Sequence, residues 1–157
     1  MKTKIDSPGV PIPPPLIYLI AFLFSILVDS FFSIDHLIFN SLPFEIIAVS
    51  LILISLTLCI PALLQFIQTQ NTIVLIRPAN SLQTSGIYSF VRNPMYLGLL
   101  LLYTGLAFMH GNWWTIIFIP VLIFVITRVI IIPEENYLQR EFGETYSLYK
   151  VKVRRWL

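Results

Sequence analysis

Four apolar runs, divided by short polar breaks, leave this chain few folds to choose from. Leu16 to Ile34 is a run of 19 residues, which at 1.5 Å per residue covers about 28 Å, enough for a hydrocarbon core. Phe44 to Phe66 is a second run, Pro94 to about Met109 a shorter third, and Trp113 to Ile132 a fourth. With 57% hydrophobic and 11% charged residues, the chain lies outside the range of soluble domains, where about a quarter of residues carry charge. The expected fold is an all-α integral membrane protein, a single domain over residues 1–157, with about four transmembrane helices and a C-terminal amphipathic cytoplasmic helix. Lys2 and Lys4 ahead of the first run would suit a cleavable signal. The length of that run, Asp29 late within it and the lack of a small-x-small cleavage site point instead to a retained anchor.

Between the runs, the punctuation is specific. Pro13 to Pro15 should be extended and stop just before the first helix, and Pro61 should kink the last turns of the second. Gln65 to Ser85, with Arg77 and Pro78, reads as a loop or interfacial turn. Pro94 suits the first position of a helix, and Gly98 and Gly105 fall on one face of it, where they permit close helix packing. His110-Gly111-Asn112 is a tight turn, and Trp113 and Trp114 belong to an interfacial aromatic belt. Past Glu134, Leu138, Phe142, Tyr146 and Tyr149 recur at helical spacing among charged residues, with Gly143 dividing the stretch into two short helices. The basic tail from Lys150 to Arg155 suits anionic headgroups. Four spans place nine of the ten lysines and arginines on one side, and the tenth, Arg128, near that end of its span. The positive-inside rule therefore puts both termini and the polar motifs in the cytoplasm.

Few residues are left for chemistry. The net charge of +2 gives no argument for nucleic acid, and a lone cysteine, Cys59, excludes a disulfide framework or thiolate cluster. His36 and His110 are isolated in loops on the opposite side, so no metal site is expected. Arg92 carries a planar guanidinium suited to clamping a carboxylate or phosphate, or to anchoring at the interface. Glu134 and Glu135 follow Pro133; they read as a charged first helical turn or as carboxylates that grip an ammonium or ribose hydroxyls. Arg128 faces the bundle interior or snorkels to the interface.

Residues 80–157 resemble the isoprenylcysteine carboxyl methyltransferase and phospholipid methyltransferase superfamily of small integral membrane enzymes. The resemblance lies in Thr84-Ser85-Gly86-Ile87-Tyr88, in Arg92-Asn93-Pro94-Met95-Tyr96-Leu97-Gly98, in Glu134-Glu135, and in Phe142-Gly143-Glu144 followed by Tyr146 and Tyr149. It implies S-adenosylmethionine as methyl donor, bound between the spans and the C-terminal segment without a Rossmann domain. The cofactor-binding residues it implies are Asn80, Ser81, Leu82, Gln83, Gly86, Tyr88, Arg92, Asn93, Pro94, Tyr96, Gly98, Glu134 and Glu135. Arg92 and Glu134 would be catalytic and Arg128 would face the substrate. The partners implied are membrane lipids and a lipophilic methyl acceptor, and the location a bacterial inner membrane.

Two departures bear on the acceptor. Prenylcysteine enzymes carry His where this chain has Asn93, and Arg four residues before the first glutamate, where it has Ile130, with Arg128 a half-turn away. An amine acceptor needs a base that the sequence does not display, whereas a carboxylate or thiolate does not. Two rival readings stay open. An NADPH-dependent sterol-type membrane reductase has a related Arg-x-Pro-x-Tyr motif and would use Lys152, Arg154 and Arg155 for the 2′-phosphate. A non-catalytic membrane protein would use the same charges only as anchors.

Overall fold

A computed structural model describes residues 7–10, 12–69, 79 and 81–156. Two helices are long and apolar enough to cross a membrane, α1 (Pro14–Phe31) and α2 (Leu42–Gln68). Of the three prolines expected to be extended, only Pro13 is; Pro14 and Pro15 instead open α1, where their missing N–H groups cost nothing. Only 17% of the most apolar window of each helix is buried, and Leu19, Ile20, Leu53 and Ile54 are each about half exposed. Helices this apolar and this open need lipid around them, whereas the core helix of a soluble protein would be covered. The α2 helix runs on past Pro61, so Gln65 to Gln68, expected in a loop, form its last turn.

Against α2 packs α3 (Pro94–His110), a 17-residue apolar helix. Small residues make that contact. Ala48, Ser55 and Ala62 are buried on α2, and Gly98 and Gly105 face them from α3. A Cβ on Gly105 would sit 2.8 Å from Ile52 Cγ1 and 3.0 Å from the Ala48 carbonyl oxygen, and one on Gly98 would overlap Cys59 Sγ. The sequence spacing of seven thus becomes a seam in which backbones approach closely.

The expected continuous run from Trp113 to Ile132 is divided. It consists of α4 (Trp113–Ile117), α5 (Ile119–Ile126) and a π-helical turn (Thr127–Ile131) that leads into α6 (Ile132–Lys152). Pro120 at the start of α5 lacks the N–H that an unbroken helix would use. Gly143 interrupts α6 with φ 52° and ψ −121°, a conformation that favours glycine, so α6 is two helical segments, as its sequence predicts.

Two packed regions set up the rest. Tyr18, Tyr96, Tyr103, Leu122, Ile126 and Ile130 form the main core, with Trp156 from the tail against it. Tyr146, Tyr149 and Val153 form a smaller one with Leu82, Leu138 and Phe142. Among the described residues there is no strand, only an isolated parallel pairing of Val91 with Arg154.

Candidate functional site

The polar motif is held from both sides. A 3₁₀ turn (Gly86–Ser89) begins at Gly86, φ 59°, and turns the chain so that the Tyr88 carbonyl accepts a 2.6 Å hydrogen bond from the Tyr149 hydroxyl. The next residues are braced by the tail. Arg92 N–H donates to the Arg154 carbonyl at 2.9 Å, and the Asn93 side-chain amide donates to the Arg155 carbonyl at 3.1 Å. Pro94 then starts α3 and places Tyr96 one turn inside it. The Tyr96 hydroxyl donates to Glu134 Oε2 at 2.8 Å, while its backbone carbonyl accepts from the Tyr18 hydroxyl at 2.9 Å. Residues from α1, α3 and α6 are thereby fixed around one carboxylate.

Glu135 carries a different load. Arg155 grips it with both prongs, Nε to Oε1 at 3.0 Å and Nη2 to Oε2 at 2.6 Å. Arg92 Nη1 stands 3.2 Å from Oε1, close enough for charge but not aligned as a hydrogen bond. Both Nε and Nη1 of Arg92 are buried and lack a hydrogen-bond acceptor. A guanidinium in this position has donors to offer.

These groups border a cavity with two lobes. The larger, about 710 Å³ and open at its mouth, is lined by Ser81, Leu82 and Gln83 on one side and by Glu135, Tyr137, Tyr146 and Tyr149 on the other. The second, about 500 Å³, is more apolar and lies against Pro14, Pro15, Met95, Tyr96 and Leu99. Phe66, Tyr88, Arg92, Asn93 and Glu134 line both. Phe66 and Tyr88 stack there with centroids 5.8 Å apart and planes at 30°, giving a flat aromatic wall. Glu134 opens on the cavity with protein packed around its other sides. Burial pushes its carboxyl up to about 7; the Tyr96 hydrogen bond pulls the other way and the neighbouring Glu135 charge adds to the rise. Burial likewise raises Tyr88 and Tyr146, and takes Tyr149 up to about 12, so all three are neutral donors near neutrality.

Of the residues singled out from sequence, Ser81, Leu82, Gln83, Tyr88, Arg92, Asn93, Glu134 and Glu135 line the larger lobe, and Pro94 and Tyr96 the smaller. Gly86 lies beside the Gln65 side chain and Gly98 in the α2–α3 seam. Asn80 lies outside the described residues, as do Arg77 and Pro78. Arg128 is exposed, stacks over the Phe124 ring at 5.5 Å and lines neither lobe. Ile130, at the position where an arginine was sought, is fully buried in the core. Sequence reasoning did not assign Phe66, Tyr137 or Arg155 to the site. Tyr146 and Tyr149 were visible as a helical stripe; Arg155 is twenty residues from Glu135 and carries no local signal.

A family model described as phospholipid methyltransferase matches residues 43–145. An uncharacterized protein of Haemophilus influenzae is 43% identical over 63 residues, which are 40% of this chain and all of that protein. The protein-S-isoprenylcysteine O-methyltransferase of Schizosaccharomyces pombe is 33% identical over 72 residues, 46% of this chain and 30% of that enzyme. The chain thus matches under a third of that enzyme's length. No solved structure matches significantly.

Proposed function

The chain belongs to the phospholipid methyltransferase family, and from that premise we propose that it is an S-adenosylmethionine-dependent methyltransferase acting at the membrane on a lipophilic acceptor. The observation that carries the proposal is the two-lobed cavity, one lobe richer in polar groups than the other, with Glu134, held by Tyr96, on the wall that both share. A reaction between a polar donor and a greasy acceptor needs such a junction.

The donor set fits the cofactor. Arg92 has buried N–H groups without acceptors, which suit a carboxylate. The Phe66–Tyr88 wall suits a planar base. Glu134 is a carboxylate that burial alone would leave partly protonated, so a cation beside it is favoured and would lower its pKa again. The bound donor supplies a methyl group on an already activated sulfonium carbon. The protein's own part is alignment and the exclusion of water, which together can remove much of a displacement barrier. Tyr96, held by Tyr18, fixes Glu134. Asn93, Pro94 and the Ser81–Gln83 segment shape the walls.

For the frame we propose four spans, over about 16–34, 44–66, 94–109 and 113–132, with both termini and the cavity on the cytoplasmic face of a bacterial inner membrane. The placement of the lysines and arginines supports that orientation. The reductase alternative would draw on Arg155, but Glu135 already holds that side chain.

Calorimetry on detergent-purified protein tests the reading. S-adenosylhomocysteine and NADPH are titrated in parallel on the wild type and on Glu134→Ala. Saturable binding of the first, lost in the variant, is expected. Binding of NADPH alone, or of neither ligand by folded protein, would overturn the assignment.

A further inference from the structure

The C-terminal tail meets the cavity at three points, and the third has a chemical consequence. Two consecutive carbonyls, of Arg154 and Arg155, receive the Arg92 N–H and the Asn93 side-chain amide. The tail is anchored beyond them by Trp156 against the main core. The Arg155 side chain then turns back onto Glu135 and takes both carboxylate oxygens, at 3.0 and 2.6 Å.

That grip decides what Arg92 can do. An arginine and a carboxylate left to themselves form a bidentate pair, which would turn Arg92 onto Glu135 and occupy its donors. Here Arg155 holds the side of Glu135 that such a pair would need. Arg92 is left with its Nη1 in charge contact at 3.2 Å, and with Nε and Nη1 buried and without a hydrogen-bond acceptor on the wall shared by the two lobes. A buried guanidinium with open donors calls for an acceptor, and an anionic one is the strongest.

We propose that Arg155 is a positioning residue: by occupying Glu135 it keeps the Arg92 guanidinium available to the carboxylate of the bound donor. The inference rests on the reading of the cavity as a methyl-donor site. It assigns the tail a role in ligand affinity that is separate from membrane contact.

The test uses two ligands that differ in the group concerned. S-adenosylhomocysteine carries the amino-acid carboxylate, and 5′-methylthioadenosine lacks it. Both are titrated on the wild type, Arg155→Ala, Arg155→Lys and the double variant Glu135→Gln with Arg155→Ala, with the melting temperature of each as control for folding. In Arg155→Ala the freed Glu135 should capture Arg92, and affinity for S-adenosylhomocysteine should fall by about tenfold or more. Affinity for methylthioadenosine should stay within about twofold. Removing the Glu135 charge as well should recover most of the loss, because it releases Arg92. Arg155→Lys, one-pronged, should fall between. If Arg155→Ala does not fold, Arg155→Gln carries the same expectation.

A double variant weaker than Arg155→Ala, or an equal loss for both ligands, would make the tail a structural strap and overturn the proposal. So would unchanged affinity in Arg155→Ala. A wild type that binds S-adenosylhomocysteine separates those outcomes from failure of the donor-site reading; one that does not bind it overturns both.

Discussion

The two ends of the helical bundle use polar residues in opposite ways. At the end away from the cavity, polar side chains close turns. Asn112 caps α4 by accepting from the N–H groups of Trp114 and Thr115 at 2.8 and 3.3 Å. The Trp113 and Trp114 indoles donate to the carbonyls of Asp35 and Phe32. His36 lies between Asp29, at 3.3 Å, and the Gly111 carbonyl. At the cavity end, charges face each other and an opening. Unpartnered buried atoms do not by themselves distinguish the ends, since Asp29 Oδ1 and Asn112 Nδ2 have none either. What distinguishes them is that Arg92 and Glu134 border space where a ligand can supply the missing partner. On the proposed function the far end serves stability and the near end a bound molecule, so variants at the two ends should fail in different measurements.

The largest effect is expected at Glu134. Glu134→Gln keeps an oxygen for the Tyr96 hydroxyl but removes the negative charge. Affinity for S-adenosylmethionine should fall by about a hundredfold, the scale of losing one partner of a buried charge pair. Melting temperature at pH 8 should hold or rise, because a poorly solvated carboxylate is gone. A drop in stability with affinity intact would erase the contrast between the ends.

The pH dependence sharpens the same point. The folded protein holds the Glu134 proton up to about 7, well above the ordinary carboxylate value of 4.5. Between those values the folded state binds more protons than the unfolded one, so its stability falls as pH rises through that window. Binding of a cation runs the other way, because it needs the ionised form. Affinity for the sulfonium donor should rise by up to about tenfold between pH 6 and pH 8, as the ionised fraction grows. Glu134→Gln should flatten that profile. A flat wild-type profile would mean that Glu134 does not sense the donor charge.

The contrast between the ends also marks what a sequence can show. The two long apolar helices, the Gly98–Gly105 face and the break at Gly143 were legible because each depends on local spacing or on one residue's backbone freedom. Pro94 and Tyr96 were legible through their motif. In the run from Trp113, Pro120 marked the α4–α5 break although it was not read so, whereas the π turn had no local signal, because apolar sequence does not tell α from π winding. Phe66 was read as the end of a span and proves to be a cavity wall, since a helix carried past Pro61 brings it opposite Tyr88. Arg155 was legible only as one more tail cation; its partner is set by how the tail folds back beside Val91.

At the far end the expected effects are smaller and fall on stability. Asn112→Ala removes the α4 cap and should cost about 1 kcal/mol. Intrinsic tryptophan fluorescence during thermal unfolding would detect it, while affinity for S-adenosylhomocysteine should not change. A parallel loss of affinity would show that the ends are coupled through the α2–α3 seam.

His36→Ala should have the smallest effect. The pair with Asp29 is more than a third exposed on the histidine side, 37%, against 18% for the carboxylate. Ion pairs so open to solvent contribute about 0–1 kcal/mol, because water and salt screen them and the side chains must be held in place. The backbone ties of Trp113 and Trp114 hold the same loop without it. Melting temperature should therefore fall by no more than a few degrees. A loss beyond that of Asn112→Ala would place the main closure of the far end in the histidine bridge, and the tryptophan ties would then be secondary.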